Sequence, residues 1–281
     1  MIQCYLCGSR NVWPLFSEKR QGRTYTNYHC TECDLFQTLG DIDPISPDYI
    51  DLKVGDLDDA HRFLQTTHKL PAFRQWQALI EHNMIISRAE TTILDVGCGI
   101  GGFLDFAKSM NLVTYGFDAS KAHVAVARIQ HQMVLHSISV SKYIEQLVSP
   151  PHFDLVTFWD VFEHVREPNQ LLSELHGVLK PNNGLLFLSV PSGAMSTIRV
   201  RIASLLNRPT GLIPWEHVFY YTPTSLKRML EISGFEIVAQ GGVQPYLRYP
   251  WTVHEIIRRV THHILRNTPY ALQIYALARP V

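Results

Sequence analysis

Residues 93–102 read ILDVGCGIGG. An apolar run ends in an acid and passes into a loop with glycine at 97, 99, 101 and 102. FLDFAKSM follows with helical spacing. A strand, a glycine turn and a helix in that order let the backbone approach a ligand closely. Gly97, Gly99 and Gly102 satisfy G-x-G-x-x-G, and Asp118 lies near the spacing of a ribose-binding acid, so the loop alone allows NAD. A P-loop is excluded, because no Gly-Lys-Ser/Thr follows.

Asp95 decides between ligands. It stands two residues before the first glycine, where a pyrophosphate would face an uncompensated negative charge. S-adenosylmethionine (SAM) carries a sulfonium, an ammonium and a carboxylate, and no phosphate. Asp95 balances its cationic end, while loop N–H groups and the helix N-terminus receive the carboxylate. Asp118, in YGFDAS, accepts from the ribose hydroxyls. The competing reading is a turn of structural glycines with a solvent-facing aspartate.

Outward from the loop, strand and helix alternate. Strands are expected at 92–96, 112–117, 134–138, 153–159 and 185–190, and helices at 101–110, 120–132, 140–148 and 168–179. Such alternation predicts a parallel sheet with helices on both faces. Residues 61–86 read as a helix with Phe63, Leu64, Leu70, Phe73, Trp76, Leu79 and Ile80 on its apolar face. After 190 the rhythm changes: a basic helix at 195–206, a helix at 223–233 capped by Thr222 and stopped by Gly234, a strand FEIVAQ, a helix at 253–266 and a final strand LQIYALA. The helix VHEIIRRVTHHILR sets Arg258, Arg259 and Arg266 beside apolar residues. It reads either as packed on the sheet edge or as lying on a membrane surface.

Four of the five cysteines fall in the first 33 residues as C-x2-C…C-x2-C: Cys4, Cys7, Cys30 and Cys33. That is the spacing of a zinc ribbon, and a closed four-thiolate shell makes the metal structural. Rubredoxin-like iron and two disulfides are the alternatives. The expected division is a ribbon over 1–40, a linker and helical segment over 41–90, and a SAM-binding core over 91–281, with an acceptor lid around 192–222.

Lys+Arg and Asp+Glu are both 25, a balance that argues against a large nucleic-acid footprint. The N-terminus has no apolar h-region, and no apolar run approaches the ~20 residues of a membrane span, so a cytoplasmic protein is expected.

ILDVGCGIGGFL, then GFDAS, then FDLVTFWDVFEHVREPNQLLSELHGVLKPNNGLLFLSVP resembles a class I SAM-dependent methyltransferase over about residues 45–281. The resemblance implies a Rossmann-like α/β core whose seven-stranded sheet has an antiparallel last strand. It implies SAM contacts at Asp95, Gly97, Cys98, Gly99, Gly101, Asp118 and Ala119. Ser137 and Ile138 fall at the adenine pocket, and Trp159 and Asp160 where the methionine end meets the acceptor. The ribbon ahead of such a core is similar to sugar and natural-product methyltransferases. That likeness implies a small-molecule acceptor, most plausibly a sugar nucleotide or glycan intermediate, with Glu216 and His217 of PWEHVFYYT as its acid–base pair. The residue two before the glutamate departs from the pattern, being Pro214. His164 of the FEHV run is the rival base, with Asp160 and Glu163 beside it; capping and packing is the competing reading of that pair. Tyr220 and Tyr221 read as core. No convincing carboxylate cluster for metal-dependent catechol-type transfer is visible. Other readings left open are a ribosomal-RNA methyltransferase gripping RNA through the ribbon, and a non-catalytic zinc-ribbon interaction protein.

Overall fold

The computed structural model describes residues 2–39, 69–84, 86, 89–208, 210–244 and 252–281. The expected linker after the ribbon and the first part of the 61–86 helix lie outside them.

Three parallel strands follow the glycine-loop rhythm: β4 (Thr92–Val96), β5 (Val113–Asp118) and β6 (Val134–His136). The chain then crosses to the other side of β4 for β7 (Leu155–Trp159) and β8 (Leu185–Pro191). Strand β10 (Phe235–Gly242) forms the far edge, and β11 (Gln273–Pro280) inserts antiparallel between β8 and β10. The sheet is therefore seven-stranded with an antiparallel last strand. Its order reverses between β4 and β7, which opens a crevice at their C-terminal ends.

Helices cover both faces because alternate residues of each strand point opposite ways. Ile93, Leu155, Phe187 and Leu277 pack on Trp76 and Ile80 of α1 (Leu70–Asn83) and Phe103 of α2 (Gly102–Ser109). Leu94, Val156, Phe158 and Leu188 pack on Tyr143 of α4 (Val140–Ile144), Leu172 of α5 (Pro168–His176) and Leu230 of α7 (Pro223–Ile232). Helix α3 (Lys121–Ala127) fills the space between β5 and β6. It is shorter than expected, ending before the turn that leads to β6.

Two features were not read from the sequence. Ribbon residues form a hairpin, β1 (Val12–Arg20) and β2 (Arg23–Cys30), turning at Gln21-Gly22 with φ of 50° and 77°. Pro14 sits at a bulge in β1, which breaks the alternation that marks a strand. The second feature is a seam. Strand β3 (Phe36–Leu39) pairs with β2 on one edge and with β9 (Phe219–Tyr220) on the other. The ribbon sheet thus takes its fourth strand from the segment expected to be the acceptor lid. Thr38 N–H donates to the Val218 carbonyl (2.8 Å), and Thr38 Oγ1 to the His217 carbonyl (3.1 Å). Cys4, Leu6, Cys30 and Leu35 share one continuous core with Phe162, Val218 and Tyr221. Tyr220 and Tyr221 are buried, in line with a packing role.

Candidate functional site

The crevice begins at the glycine loop. Gly97, Gly99 and Gly101 all have positive φ, and a Cβ at Gly97 would sit 2.5 Å from Val161 Cγ2. A side chain there would therefore collide as well as strain the turn. Asp118 locks the loop: its Oδ2 accepts from Gly99 N–H (2.9 Å) and its Oδ1 from Ser120 N–H (2.8 Å). Ribose hydroxyls would have to use its remaining lone pairs. Cys98 is buried in the loop, and burial raises its thiol well above the ordinary range.

Asp95 is buried and accepts from Thr157 Oγ1 (2.7 Å), the residue beside it on β7. Burial pushes its carboxyl up to about 7 against the opposing effects of Thr157 and Lys69. A fully desolvated carboxylate calls for a nearby cation. Further round, the Ala119 carbonyl accepts from His136 Nε2 (3.0 Å), Ser137 Oγ donates to the Ser139 carbonyl (2.9 Å), and Ile138 is exposed.

At the end of β7, Trp159 packs among Phe73, Phe103 and Phe187, with its Nε1 buried and unpartnered. Asp160 has φ of 59°, which turns the chain out of the strand. Its carboxylate accepts from Lys69 Nζ (2.7 Å) and from Gln273 Nε2 at the head of β11. Neither Lys69 nor Gln273 was singled out in the sequence; a lone lysine before a helix and a glutamine opening a strand carry no local signal.

The following 3-10 turn, Phe162–His164, presents Glu163 and His164. Glu163 is buried and neither carboxylate oxygen has a partner, so burial raises its carboxyl well above the usual range. His164 Nε2 lies 3.9 Å from Glu163 Oε1, and the rings of His164 and His217 are 4.8 Å apart. His164 Nδ1 bonds the Glu216 carbonyl (2.9 Å), and Val218 N–H donates to the Glu163 carbonyl (3.0 Å). These two bonds bring the 215–222 run against the turn. His217 Nδ1 is sealed from solvent without a partner, and desolvation pushes the ring down to about 3. The ring is thus neutral at physiological pH and does not titrate near 7.

Glu216 lies apart from this cluster. Its carboxylate pairs with Arg20 of the ribbon (3.3 Å) and takes a hydrogen bond from Trp215 Nε1 (3.3 Å). The expected Glu216–His217 pair is therefore not a side-chain contact here: the two neighbours point to different partners. In its place Glu163, His164 and His217 form a group whose ligand atoms lie within 4.8 Å of one another, a set able to hold a metal. No motif marks this group, because His217 lies 53 residues beyond His164 and is brought to it only by the seam.

Cys4, Cys7, Cys30 and Cys33 form the other such group among the described residues. Cys4 and Cys33 sulfurs are 3.4 Å apart, and Cys7 and Cys30 3.6 Å. A disulfide would need about 2.05 Å. A tetrahedral zinc at about 2.3 Å from each sulfur sets them roughly 3.8 Å apart. Sharing a proton with Cys33 pulls the Cys4 thiol down to about 5 and pushes Cys33 up. A metal ion would take that proton's place, so the donor set fits one.

A methyltransferase-domain family model matches residues 64–240. Over 254 residues, 84% of this chain and 81% of the relative, the chain is 24% identical to the ubiquinone biosynthesis O-methyltransferase of Neisseria meningitidis serogroup C (strain 053442). It is 36% identical to the protein of the same name from Pseudomonas paraeruginosa over 108 residues, 36% of this chain and 44% of that one. Among solved structures, a SAM-dependent methyltransferase from Mesorhizobium loti superposes with a TM-score of 0.51 at 18% identity, covering 77% of this chain and 99% of that one. One from Aquifex aeolicus gives 0.50 at 18%, covering 82% and 100%. No described helix is long and apolar enough to cross a membrane.

The buried, unpartnered carboxyl of Glu163 should cost the fold about 1–3 kcal/mol. Glu163→Leu should therefore raise the melting temperature by several degrees in calorimetry, at about 2–4 °C per kcal/mol. A lower melting temperature would mean that the folded protein supplies this carboxylate with a partner.

Proposed function

The chain belongs to the methyltransferase-domain family and is a SAM-dependent methyltransferase, and on that premise we propose that it methylates a hydroxyl group of a small molecule. The observation that carries this reading is the Glu163–His164–His217 cluster at the C-terminal end of β7, on the same rim as Asp95. The names of the curated relatives, O-methyltransferases, favour the same chemistry. A sugar-nucleotide acceptor is the narrower reading. It draws support from the ribbon ahead of the core, and less from Glu216, which is held by Arg20.

SAM supplies a methyl carbon activated by sulfonium. In our reading Asp95 receives its cationic end, and Gly97, Cys98, Gly99 and Gly101 give it backbone access. Asp118 and Ala119 face the ribose, Ser137 and Ile138 flank the adenine, and Trp159 and Asp160 wall the methionine end. The acceptor hydroxyl enters between Glu163 and the two imidazoles. His164 and His217, both lowered in basicity by desolvation, orient the hydroxyl as neutral rings. Glu163 is the stronger base once ionised, because burial raises its carboxyl. A cationic ligand nearby favours that ionised form. The acceptor proton would then move to Glu163 as the oxygen–methyl bond forms and the sulfonium–methyl bond breaks, with that bond's electron pair left on sulfur as a neutral thioether. The four ribbon cysteines hold a structural zinc, which fixes β3 and, through β9, the position of His217.

Three measurements test these assignments. Asp95 is protonated below about 7, and a cationic ligand needs its carboxylate. SAM affinity, by calorimetric titration, should rise as pH rises through about 7 and then level off, and Asp95→Asn should weaken it and flatten the profile. A profile unchanged by that substitution would remove Asp95 from the SAM site. With methyl-labelled SAM, phenolic and catecholic acceptors should outperform sugar nucleotides. Glu163→Gln should cut turnover roughly 10²–10⁴-fold, far more than it weakens SAM binding. Label appearing on sugar nucleotides instead would overturn the acceptor class. Purified protein should contain one zinc per chain by elemental analysis. Cys33→Ser should lower turnover more than SAM affinity, and full turnover in zinc-free protein would reject this role for the ribbon.

A further inference from the structure

The glycine loop has little left to offer the carboxylate of SAM. Gly97 and Cys98 N–H both donate to the Phe117 carbonyl (2.9 and 3.0 Å), Gly99 N–H to Asp118 (2.9 Å), and Gly101 N–H to the Cys98 carbonyl (3.0 Å). Helix α2, which follows, carries Asp105 in its first turn, so its N-terminus already faces an acid. The donors expected from the sequence to receive the carboxylate are thus spent inside the protein or opposed by charge. Asp95, Asp118, Asp160 and Glu163 stand around the same crevice. An anion entering among them needs a cation of its own.

Lys69 is placed to be that cation. It precedes α1, and its carbonyl accepts from Phe73 N–H (3.0 Å). Phe73 packs edge-on against Trp159 and Phe103, with ring centroids 5.0 and 5.2 Å away, so the start of α1 is fixed to the end of β7 and to α2. Lys69 Nζ reaches Asp160 (2.7 Å), the first residue beyond β7. The next residue, Val161, is the one that a Cβ at Gly97 would strike, so Asp160 and the glycine loop share one rim. The side chains of Lys69 and Asp160 are 21% and 29% exposed, which leaves the ion pair within reach of a ligand.

The amino-acid end of SAM carries an ammonium and a carboxylate on one carbon. A lysine beside an aspartate is the complement of that arrangement, charge for charge. We propose that Lys69 and Asp160 together hold the amino-acid end of SAM, Lys69 taking its carboxylate and Asp160 its ammonium, so that one ion pair opens to give two. The proposal rests on the reading of Trp159 and Asp160 as the wall of the methionine end. Gln273 stays on Asp160 as the pair opens, holding the carboxylate from the head of β11.

The test is calorimetric titration of the full chain, at alkaline pH, with SAM and with decarboxylated SAM, which keeps the sulfonium and the ammonium. Lys69→Met should weaken SAM at least about tenfold more than it weakens decarboxylated SAM, through loss of one charge-assisted contact. Lys69→Arg should restore most of that difference. Taking Lys69 away also raises Asp95, but this weakens both ligands alike, so the difference between them isolates the carboxylate. Methylthioadenosine, which lacks the amino-acid end, should bind wild type and Lys69→Met equally, which shows that the rest of the pocket is intact. Asp160→Asn should weaken SAM and decarboxylated SAM together, through the ammonium that both carry. Equal losses for the two ligands on Lys69→Met, or none, would overturn the role of Lys69 while leaving Asp160 at the methionine end. Affinities indifferent to Asp160→Asn would remove Asp160 from the methionine end and take the proposal with that reading.

Discussion

The pairing of β3 with β9 is the contact on which the position of the run 215–222 depends. Two residue pairs, Phe36 with Tyr220 and Gln37 with Phe219, join the ribbon to the run 215–222. A two-residue strand has no independent stability, so its geometry is borrowed from the sheet it extends. The seam leaves little room for adjustment: a Cβ at Gly193 would meet the Tyr220 carbonyl at 2.7 Å and Phe36 Cδ2 at 2.9 Å. Tyr25 and Arg20 on the ribbon also pack on Trp215. The ribbon is thus a wall of the site as well as a module ahead of it. The zinc we propose for it would act on methyl transfer through backbone position, without touching the reacting atoms.

The crevice itself is an acid-rich place in a desolvated setting. Asp95, Asp118 and Glu163 are buried and Asp160 is half-buried. Lys69 opposes the charge of Asp95 and Glu163 at once and bonds Asp160 directly. Desolvation, and after it repulsion from neighbouring carboxylates, raises Asp95 and Glu163. Asp118 accepts from two backbone N–H groups. A site in this state is matched to a cationic ligand and poorly matched to a pyrophosphate.

Much of the fold could be read from periodicity. Strands β4, β5, β7 and β8 lie where alternating strand and helix signals put them, because each is a short apolar run bounded by turns. The cysteine spacing likewise led directly to four clustered sulfurs. What escaped was the hairpin β1–β2, masked by Pro14 and by a Gln-Gly turn in place of the commoner Asn-Gly. β9 escaped too, since Phe-Tyr within PWEHVFYYT has no pattern of its own and becomes a strand only when β3 offers an edge. The segment between ribbon and core falls outside the described residues, so its reading as linker and helix start stands as an expectation.

The Glu163–His164–His217 cluster shows where a sequence pattern meets a physical limit. Glu216 and His217 are neighbours in sequence, which suggests a pair, yet adjacent side chains in an extended or turning backbone point apart. Glu216 goes to Arg20 and His217 to His164. The pairing that matters is between two turns: the one after β7 carries Glu163 and His164, and the one before β9 carries His217. Two hydrogen bonds to main-chain carbonyls, His164 Nδ1 to Glu216 and Val218 N–H to Glu163, join them, beside the stacking of Phe162 on Tyr221. Neither bond depends on the identity of residue 216 or 218, so no motif could have announced them. His164 spends one ring nitrogen on this junction, whereas the carboxyl of Glu163 takes no part in it. A buried carboxyl with no hydrogen-bond partner, such as Glu163, is a cost that the fold tolerates, and such a group is a candidate for function.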